Sequence, residues 1–365
     1  MKPGLINLKQ CMAAGQLPAG CAARGVDAPA LIRSGPAILL RTTCFMAWAY
    51  SANAPCAGPP QTAWQPMKPI EYIVPAGAGA ALDTAARVIK QTMESQKIVT
   101  QPIIVVNKAG GGGALMNAYL DQRVGDATVL ATIAPTLLTS RITGQLKQTY
   151  SDFTPLAVLF NDYVAVAVRN DSPIRTAADL VDRLKKSATH LSVGVAAAIG
   201  NHVHIGIALP VKAAGADLQK LHAVAYKSSS ESVTGMLSGD LDLVASTPSN
   251  LVTLMTAGKL RIIAISSPAR LGGALAEIPT WKEQGIDVQL VATQGVMGPR
   301  GLSDEQIAYW ERALAQLQRS ADYMALLERH YWTANFMARH EAVKYYDAQY
   351  AAWKRTLTDL GIAKD

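Results

Sequence analysis

The chain has 365 residues, of which half are hydrophobic and 17% are charged. This length allows one large or two ordinary domains with a full core, and so few charges exclude a disordered chain. The formal charge is +7, but five of the 34 basic residues and one of the 27 acidic residues lie before Ala54. The remaining 29 basic and 26 acidic residues give nucleic-acid binding little support.

The first 54 residues resemble an export signal on a long leader. Arg33 and Arg41 precede the apolar run Thr42–Tyr50, and Ala52-Asn53-Ala54 is a small-residue processing pattern. We predict cleavage near Ala54, an overlong leader over residues 1–54 and a linker over residues 55–66. A leader that stays in the cytosol is the alternative. No later segment approaches the ~18 to 20 apolar residues of a membrane span.

Beyond Lys68, apolar strand patterns alternate with helical patterns, which predicts an α/β fold with mostly parallel sheets flanked by helices. The predicted strands are Ile70–Pro75, Ile103–Val106, Thr128–Ile133, Leu191–Val195, His222–Tyr226, Leu241–Ala245 and Arg261–Ile265. The predicted helices are Asp83–Glu94, Ala114–Arg123, Ala177–Lys186, a helix from about His202, and Glu231–Leu237.

The predicted boundary between two domains lies in the stretch Leu156–Asn170, which contains two strand-like runs. The chain is predicted to return near Val288–Pro299. Residues 66–165 and 288–365 therefore form a discontinuous domain 1, and residues 166–287 form domain 2. The end of the chain is predicted to be helical, with a capping box at Ser303–Gln306 and an aromatic stripe along the last helix that is typical of core.

Several kinds of chemistry have no support in the sequence. All four cysteines lie in the first 56 residues, the histidines show no HExxH pattern, and there is no GxSxG turn. The four glycines Gly110–Gly113 follow a strand as a phosphate loop would. However, the Lys-Ser/Thr pair of a Walker loop and the GxGxxG spacing are missing. We therefore predict no catalytic residue, no metal and no cofactor.

What remains is a set of loops made of small residues, each placed after a strand and before a helix. They are Pro75–Asp83, Gly110–Gly113, Thr132–Thr136 and Gly194–His204. In open α/β sheets ligands bind outside the carboxyl ends of the strands, and helix N-termini with accessible amides attract anions. The sequence thus favours binding of an anion without chemistry. The alternative is that these loops are only tight turns.

Several short motifs follow one another in a specific order. The segment Lys68–Arg87 contains Lys-Pro-Ile, Ile-Val-Pro, a glycine-rich stretch, Asp and an Ala-Arg pair, and "NKAGGGGA" begins at Asn107. The later motifs are the pair Tyr226-Lys227, "GKLRIIAIS" from Gly258 and the segments Glu277–Val288 and Gly295–Ile307. In this order and spacing the chain resembles the receptors of tripartite tricarboxylate transporters, the Bug-type family.

The resemblance implies a two-domain periplasmic-binding-protein fold of the Venus-flytrap type. It implies a periplasmic monomer that delivers a small carboxylate to the large and small membrane subunits of a transporter and that is not an enzyme. By family position, His204 lines the cleft or belongs to the core. The implied ligand-binding residues are Ala76, Gly77, Ala78, Gly79, Ala80, Ala81, Asp83, Ala134, Thr136, Ala198, Gly200, Asn201, His204, Tyr226, Lys227 and Ser246.

The chain also departs from the family pattern. Asn201 stands where a serine is usual, and asparagine is a good N-cap. Ser246 replaces a frequent aspartate, which removes a partner for a ligand amino group and predicts an anionic ligand without a cation. A secreted α/β enzyme acting on an acidic substrate is the main alternative function, and a protein-interaction scaffold is the third. The sequence leaves open whether Gly110–Gly113 contact the ligand.

Overall fold

The computed structural model describes residues 64–186, 190–196 and 198–364. The predicted leader and most of the predicted linker lie outside these residues. Strands of the first sheet are β1 (Ile70–Val74), β2 (Ile103–Asn107), β3 (Val129–Ile133), β4 (Thr154–Asp162), β10 (Ala292–Gly298) and β11 (Thr333–Ala338). Strands of the second are β5 (Ala165–Arg169), β6 (Leu191–Ala196), β7 (Leu221–Tyr226), β8 (Leu243–Ser246) and β9 (Leu260–Ile265).

Ten helices of the described residues flank the two sheets. They are α1 (Ala81–Ser95), α2 (Ala114–Asp121), α3 (Pro135–Ile142), α4 (Ala177–Lys186), α5 (His202–Ala213), α6 (Ser229–Ser238), α7 (Pro248–Thr256), α8 (Asp304–Gln318), α9 (Ala321–Arg329) and α10 (Arg339–Asp359). None of the helices within the described ranges has the length and apolar character needed to cross a membrane.

The predicted α/β class with two sheets is confirmed, but the sheets are mixed rather than mostly parallel. The strand orders are β11-β4-β10-β3-β1-β2 and β7-β6-β8-β5-β9. Each sheet has a parallel block of three strands, β2-β1-β3 and β7-β6-β8. The other strands pair antiparallel because the chain passes directly from β4 to β5 between the sheets and returns through β10.

The two crossings between the sheets are tied together by one serine. Ser266 is fully buried, and its hydroxyl accepts from the Val164 amide (2.9 Å) and donates to the Leu290 carbonyl (2.6 Å). Its own backbone pairs with the same two residues, since its amide donates to the Val164 carbonyl and its carbonyl accepts from the Leu290 amide. Ser266 therefore holds the β4–β5 connection and the segment before β10 side by side.

The core explains most of the sequence periodicity. One apolar cluster covers an outer face of the first sheet under α1, α8 and α9, and another covers a face of the second sheet under α6 and α7. A third cluster is continuous across both sheets and includes α2, α3, α5 and α10. In α10, Tyr346, Trp353 and Leu357 are buried, which confirms that the aromatic stripe belongs to the core.

Two features of the second half differ from the predictions. The end of the chain is not wholly helical, because β11 lies at the edge of the first sheet, and its alternating exposed residues give no apolar run. The helix α7 was not predicted, and it begins with Pro248 at its first position, where a proline needs no amide partner. The capping box of α8 is confirmed, with Ser303 and Gln306 bonding reciprocally.

Candidate functional site

The parallel blocks bring the small-residue loops together in two groups. Parallel strands end at the same edge of a sheet, so the loops after β1, β2 and β3 share one edge. The loops after β6, β7 and β8 share an edge of the second sheet in the same way. All six loops lead into a helix, and all but two of the predicted ligand residues lie in these loops or in the first turn of the helix that follows. The exceptions are Tyr226, the last residue of β7, and Ser246, the last residue of β8.

Residues 75–83 and Asn107 form what we call the first wall. The backbone of Gly77–Gly79 is exposed, and Ala80 is the N-cap of α1. In an α-helix the amides of the first turn have no partner within the helix, and the alanine side chain at this N-cap cannot accept from them. The N-terminus of α1 therefore offers amide donors and a positive dipole end at an exposed loop.

Asp83 anchors this loop. The side chain is 1% exposed, and its Oδ2 accepts from the Gly79 amide (2.9 Å) and from Arg87 Nε (2.8 Å). Its Oδ1 accepts from Arg87 Nη2 (3.1 Å) and from Asn107 Nδ2 (2.9 Å). Burial alone would raise the pKa of Asp83, but these hydrogen bonds outweigh it and hold the pKa below its ordinary value. Asp83 is thus an anion whose two oxygens are already engaged.

Asn107 is a component of the first wall that the sequence reasoning missed. It is the last residue of β2, and its Nδ2 donates both to Asp83 and to the Ala76 carbonyl (2.9 Å). One amide group therefore joins the beginning and the end of the loop. The available signal was its place at the carboxyl end of a strand, directly before the glycine run.

The glycine run Gly110–Gly113 is required by backbone conformation and by close packing. All four glycines have positive φ, from 58° to 135°, which side chains rarely adopt. A Cβ on Gly112 would also lie 2.6 Å from the Ser140 hydroxyl of α3. Nearby, Ala134 is the N-cap of α3, and Thr136 lies in its first turn. The run therefore turns tightly beside α3, next to the loop that follows β3.

Residues 198–204 form the second wall, at the start of α5. Asn201 is 4% exposed; its Oδ1 accepts from the His204 amide (3.0 Å), and its Nδ2 donates to the Ala196 carbonyl (2.7 Å). The predicted N-cap role of Asn201 is confirmed. By helix geometry the amides of His202 and Val203 in the same turn remain without an intrahelical partner.

Two histidines of the second wall are kept neutral by burial. Burial lowers the pKa of His202 to about 4 and lowers the pKa of His204. His204 Nδ1 accepts from the Gly200 amide (3.2 Å), so its proton is on Nε2. The Nδ1 atom of His202 is buried and has no hydrogen-bond partner among the described residues. This wall therefore presents neutral groups at the helix N-terminus.

The other predicted residues of the second lobe lie at the ends of the neighbouring strands. Tyr226 pairs with Ala196 in register, and its hydroxyl lies close to Gly235 of α6. Lys227 is exposed, and its amide donates to Glu231 Oε2 (3.2 Å). Ser246 is fully buried and accepts from Asn250 Nδ2 (3.3 Å). No contact joins these three side chains to Asn201 among the bonds of the described residues.

The two lobes touch beside the second wall. Gly200 has φ +88°, and a Cβ there would lie 3.1 Å from Thr143 Cγ2 at the end of α3 and 3.8 Å from Ile362 Cδ1. Within the first lobe, the Lys364 amide donates to the Ile142 carbonyl (2.9 Å), which holds the end of the chain against α3. A surface cavity of about 600 Å³ lies elsewhere, at the far end of α1 around Lys97, and includes none of the predicted ligand residues. No group of three or more His, Cys, Asp or Glu side chains suited to a metal occurs within residues 64–186, 190–196 and 198–364.

Two mixed α/β sheets linked by two crossings, with loops and helix N-termini at the carboxyl ends of both parallel blocks, define a periplasmic-binding-protein fold. The family model described as the tripartite tricarboxylate transporter family receptor matches residues 85–362. The chain belongs to this family, as the sequence motifs predicted. By that description, its members are the receptors of tripartite tricarboxylate transporters.

Individual relatives are distant. A UPF0065 protein of Cupriavidus necator is 25% identical over 82% of this chain and 89% of its own length. An R. palustris protein solved with adipate has a TM-score of 0.74 at 22% identity, over 82% of this chain and 99% of that one. MatC of Rhodopseudomonas palustris, solved with bound malate, has a TM-score of 0.69 at 20% identity, over 80% and 99%. At these identities the two structures show the fold alone.

Proposed function

We propose that this protein binds a small carboxylate between the first wall and the second wall and delivers it to the membrane subunits of a tripartite tricarboxylate-type transporter. The observation that carries the proposal is the gathering of loops before helix N-termini at the carboxyl ends of both parallel blocks. Such N-termini attract anions through free amides and their dipoles. The adipate and malate found with two structural relatives support a carboxylate as the ligand.

The charges of the two walls favour a ligand without a cation. Among the predicted ligand residues only Asp83 and Lys227 carry a charge, and the Asp83 oxygens are engaged by Arg87, Asn107 and Gly79. The second wall has neutral histidines, and Ser246 offers no carboxylate. A ligand ammonium group would therefore find no free anion to pair with, whereas carboxylates find amide donors on both walls.

The remaining parts of the proposal follow the family. The protein is exported, with cleavage near Ala54, and acts as a monomer. Domain 1 comprises residues 66–165 and 288–365, and domain 2 comprises residues 166–287. The passage of the chain between sheets at β4–β5 and its return before β10 support these boundaries. Tyr226, Lys227 and Ser246 contribute to the ligand site from the ends of β7 and β8, and Asp83 acts through the loop that it holds.

A thermal-shift screen of the purified protein tests this function. Mono-, di-, tri- and aromatic carboxylates are added at increasing concentration, because a ligand at 100 times its dissociation constant stabilises a protein by about 2.7 kcal/mol. We expect a concentration-dependent rise in melting temperature with at least one carboxylate and recovery of that compound unchanged after incubation. Conversion of the compound would favour the enzyme, and no shift with any carboxylate would contradict the proposal.

A further inference from the structure

We propose that Asn107 is a positioning residue for ligand binding, which holds the first wall in the conformation that receives a carboxylate. The inference rests on the proposed function, and it assigns a role to the asparagine of "NKAGGGGA". The four glycines that follow are required because their backbone has positive φ, whereas the Asn107 side chain forms hydrogen bonds to the loop after β1.

The geometry places one donor group between the two ends of the exposed loop. The two hydrogens of Asn107 Nδ2 go to the Ala76 carbonyl at the beginning of the loop and to Asp83 Oδ1 at its end, both at 2.9 Å. Asp83 Oδ2 in turn accepts from the Gly79 amide in the middle of the loop. Three points of a segment with small or no side chains are thus fixed by two polar side chains.

Such a segment needs external support to keep one conformation. Gly77 and Gly79 have no Cβ, their backbone is exposed, and a Cβ at either position would meet no atom within 4 Å. Packing therefore does not hold the loop, and backbone freedom at glycine is large. If the loop were mobile, binding would have to order it, which weakens affinity. The bonds from Asn107 remove that requirement before the ligand arrives.

The choice of asparagine is also chemically specific. The Ala76 carbonyl and the Asp83 carboxylate are both acceptors, so the side chain between them has to supply two donors and carry no negative charge. An aspartate at position 107 would supply no donor to either acceptor. It would also place a second carboxylate beside Asp83, with Arg87 as the positive charge in contact with Asp83. A serine can supply only one of the two hydrogens.

The test compares Asn107→Ala with Asn335→Ala, a matched loss of asparagine. Asn335 lies in β11, at the opposite edge of the same sheet, and its Nδ2 donates to Asn161 Oδ1 at 3.0 Å. Hydrogen exchange of the Gly77–Ala80 amides is measured without ligand, and calorimetry is run with adipate and malate. In Asn107→Ala we expect faster exchange of the loop amides and about tenfold weaker binding of any dicarboxylate that the unmodified protein binds. In Asn335→Ala we expect both quantities to change by less than twofold.

The two readouts separate this inference from the proposed function. Unchanged loop exchange in Asn107→Ala overturns the positioning role whether or not a carboxylate binds. Faster exchange with unchanged affinity overturns the link to binding. If neither adipate nor malate binds the unmodified protein, the link to binding of these dicarboxylates is overturned as well, and the exchange data still decide whether Asn107 holds the loop.

A second variant covers the case in which Asn107→Ala does not fold. In Asn107→Asp the new carboxyl group faces Asp83, so its pKa is raised in the folded state, and its protonated form regains one donor. The melting temperature of Asn107→Asp should be lower than that of the unmodified protein, and this difference should become smaller as the pH falls from 7 to 5. A deficit that is constant over this range contradicts the proposed geometry.

Discussion

The two walls of the proposed site place helix N-termini at a sheet edge by different means. The first wall is held by an ionised carboxylate with four hydrogen bonds from three residues. The second wall is held by a neutral N-cap, Asn201, and by histidines that burial keeps uncharged. The Asp83 oxygens and the Asn201 side chain are engaged within the protein, so the amides of the helix starts are left for a ligand. Both walls therefore attract an anion without a free cationic side chain.

Loss of the Asp83 carboxylate in the first wall should destabilise the protein more than any other single change considered below. Asp83→Asn removes the charge that pairs with Arg87 and turns two acceptor oxygens into one. Hydrogen bonds to charged groups contribute about 1.5 to 3 kcal/mol each, so we expect the free energy of unfolding at pH 7 to fall by about that amount or more. Chemical denaturation of both proteins measures it. A loss below about 0.5 kcal/mol would show that the carboxylate does not hold this wall.

The pH dependence of stability, compared between the unmodified protein and Asp83→Asn, shows over which pH range the Asp83 carboxylate stabilises the fold. The pKa of Asp83 is lowered in the folded protein, so its stabilisation is present above the unfolded value of about 3.9 and is lost as the pH falls through the folded value. The difference in stability between the unmodified protein and Asp83→Asn should therefore vanish only in strong acid. A difference that already disappears at pH 5 would contradict the lowered pKa.

The second wall should respond to acid in a different range. His202 has its folded pKa lowered to about 4, so the unfolded chain binds a proton first, and stability is lost from about pH 6.5 down through pH 4. Between pH 8 and pH 5 we expect His202 to lower the free energy of unfolding by roughly 2 kcal/mol, and this decrease should be missing in His202→Asn. His222→Asn, at an exposed position of β7, is the matched control, and an equal pH dependence of stability in the two variants would contradict this role of His202.

The contact between the lobes at Gly200 is the next target. Gly200→Ala introduces a Cβ in a left-handed conformation and 3.1 Å from Thr143 Cγ2, whereas Gly215→Ala has φ +71° and no neighbour within 4 Å. The left-handed conformation costs about 1 to 2 kcal/mol in either variant. We expect both variants to lose stability and only Gly200→Ala to lose carboxylate affinity as well. Equal affinity in the two variants would separate this contact from binding.

Removal of Asn201, the N-cap of α5 in the second wall, should have a smaller effect on folding than the changes above. Asn201→Ala removes the cap of α5 and should lower the free energy of unfolding by about 0.5 to 2 kcal/mol, as should Ser320→Ala, which removes the N-cap of α9 far from the site. Carboxylate affinity should fall in Asn201→Ala and stay unchanged in Ser320→Ala. Calorimetry decides this, and unchanged affinity in Asn201→Ala would remove it from the site.

Local patterns in the sequence predicted the elements better than the contacts between them. The strand and helix periods located β1 to β9 and most helices, and small residues marked the loops. The segment that forms β10 was predicted only as the return of the chain to the first domain. The role of Asp83 was not visible, because Asn107 reaches it only after β2 pairs beside β1. The requirement for Gly200 likewise depends on Thr143 from the other lobe. The strand β11 was missed because its half-exposed residues lack an apolar run.

In the proposed site the two walls receive an anion and have no partner for a cation. Calorimetry with two matched pairs of ligands tests this: malate against aspartate, in which a hydroxyl is exchanged for an amino group, and adipate against 2-aminoadipate, in which an amino group is added. We predict that at least one plain dicarboxylate binds and that its amino counterpart binds at least tenfold more weakly. Tight binding of the acidic amino acids with no binding of the plain dicarboxylates would contradict the account.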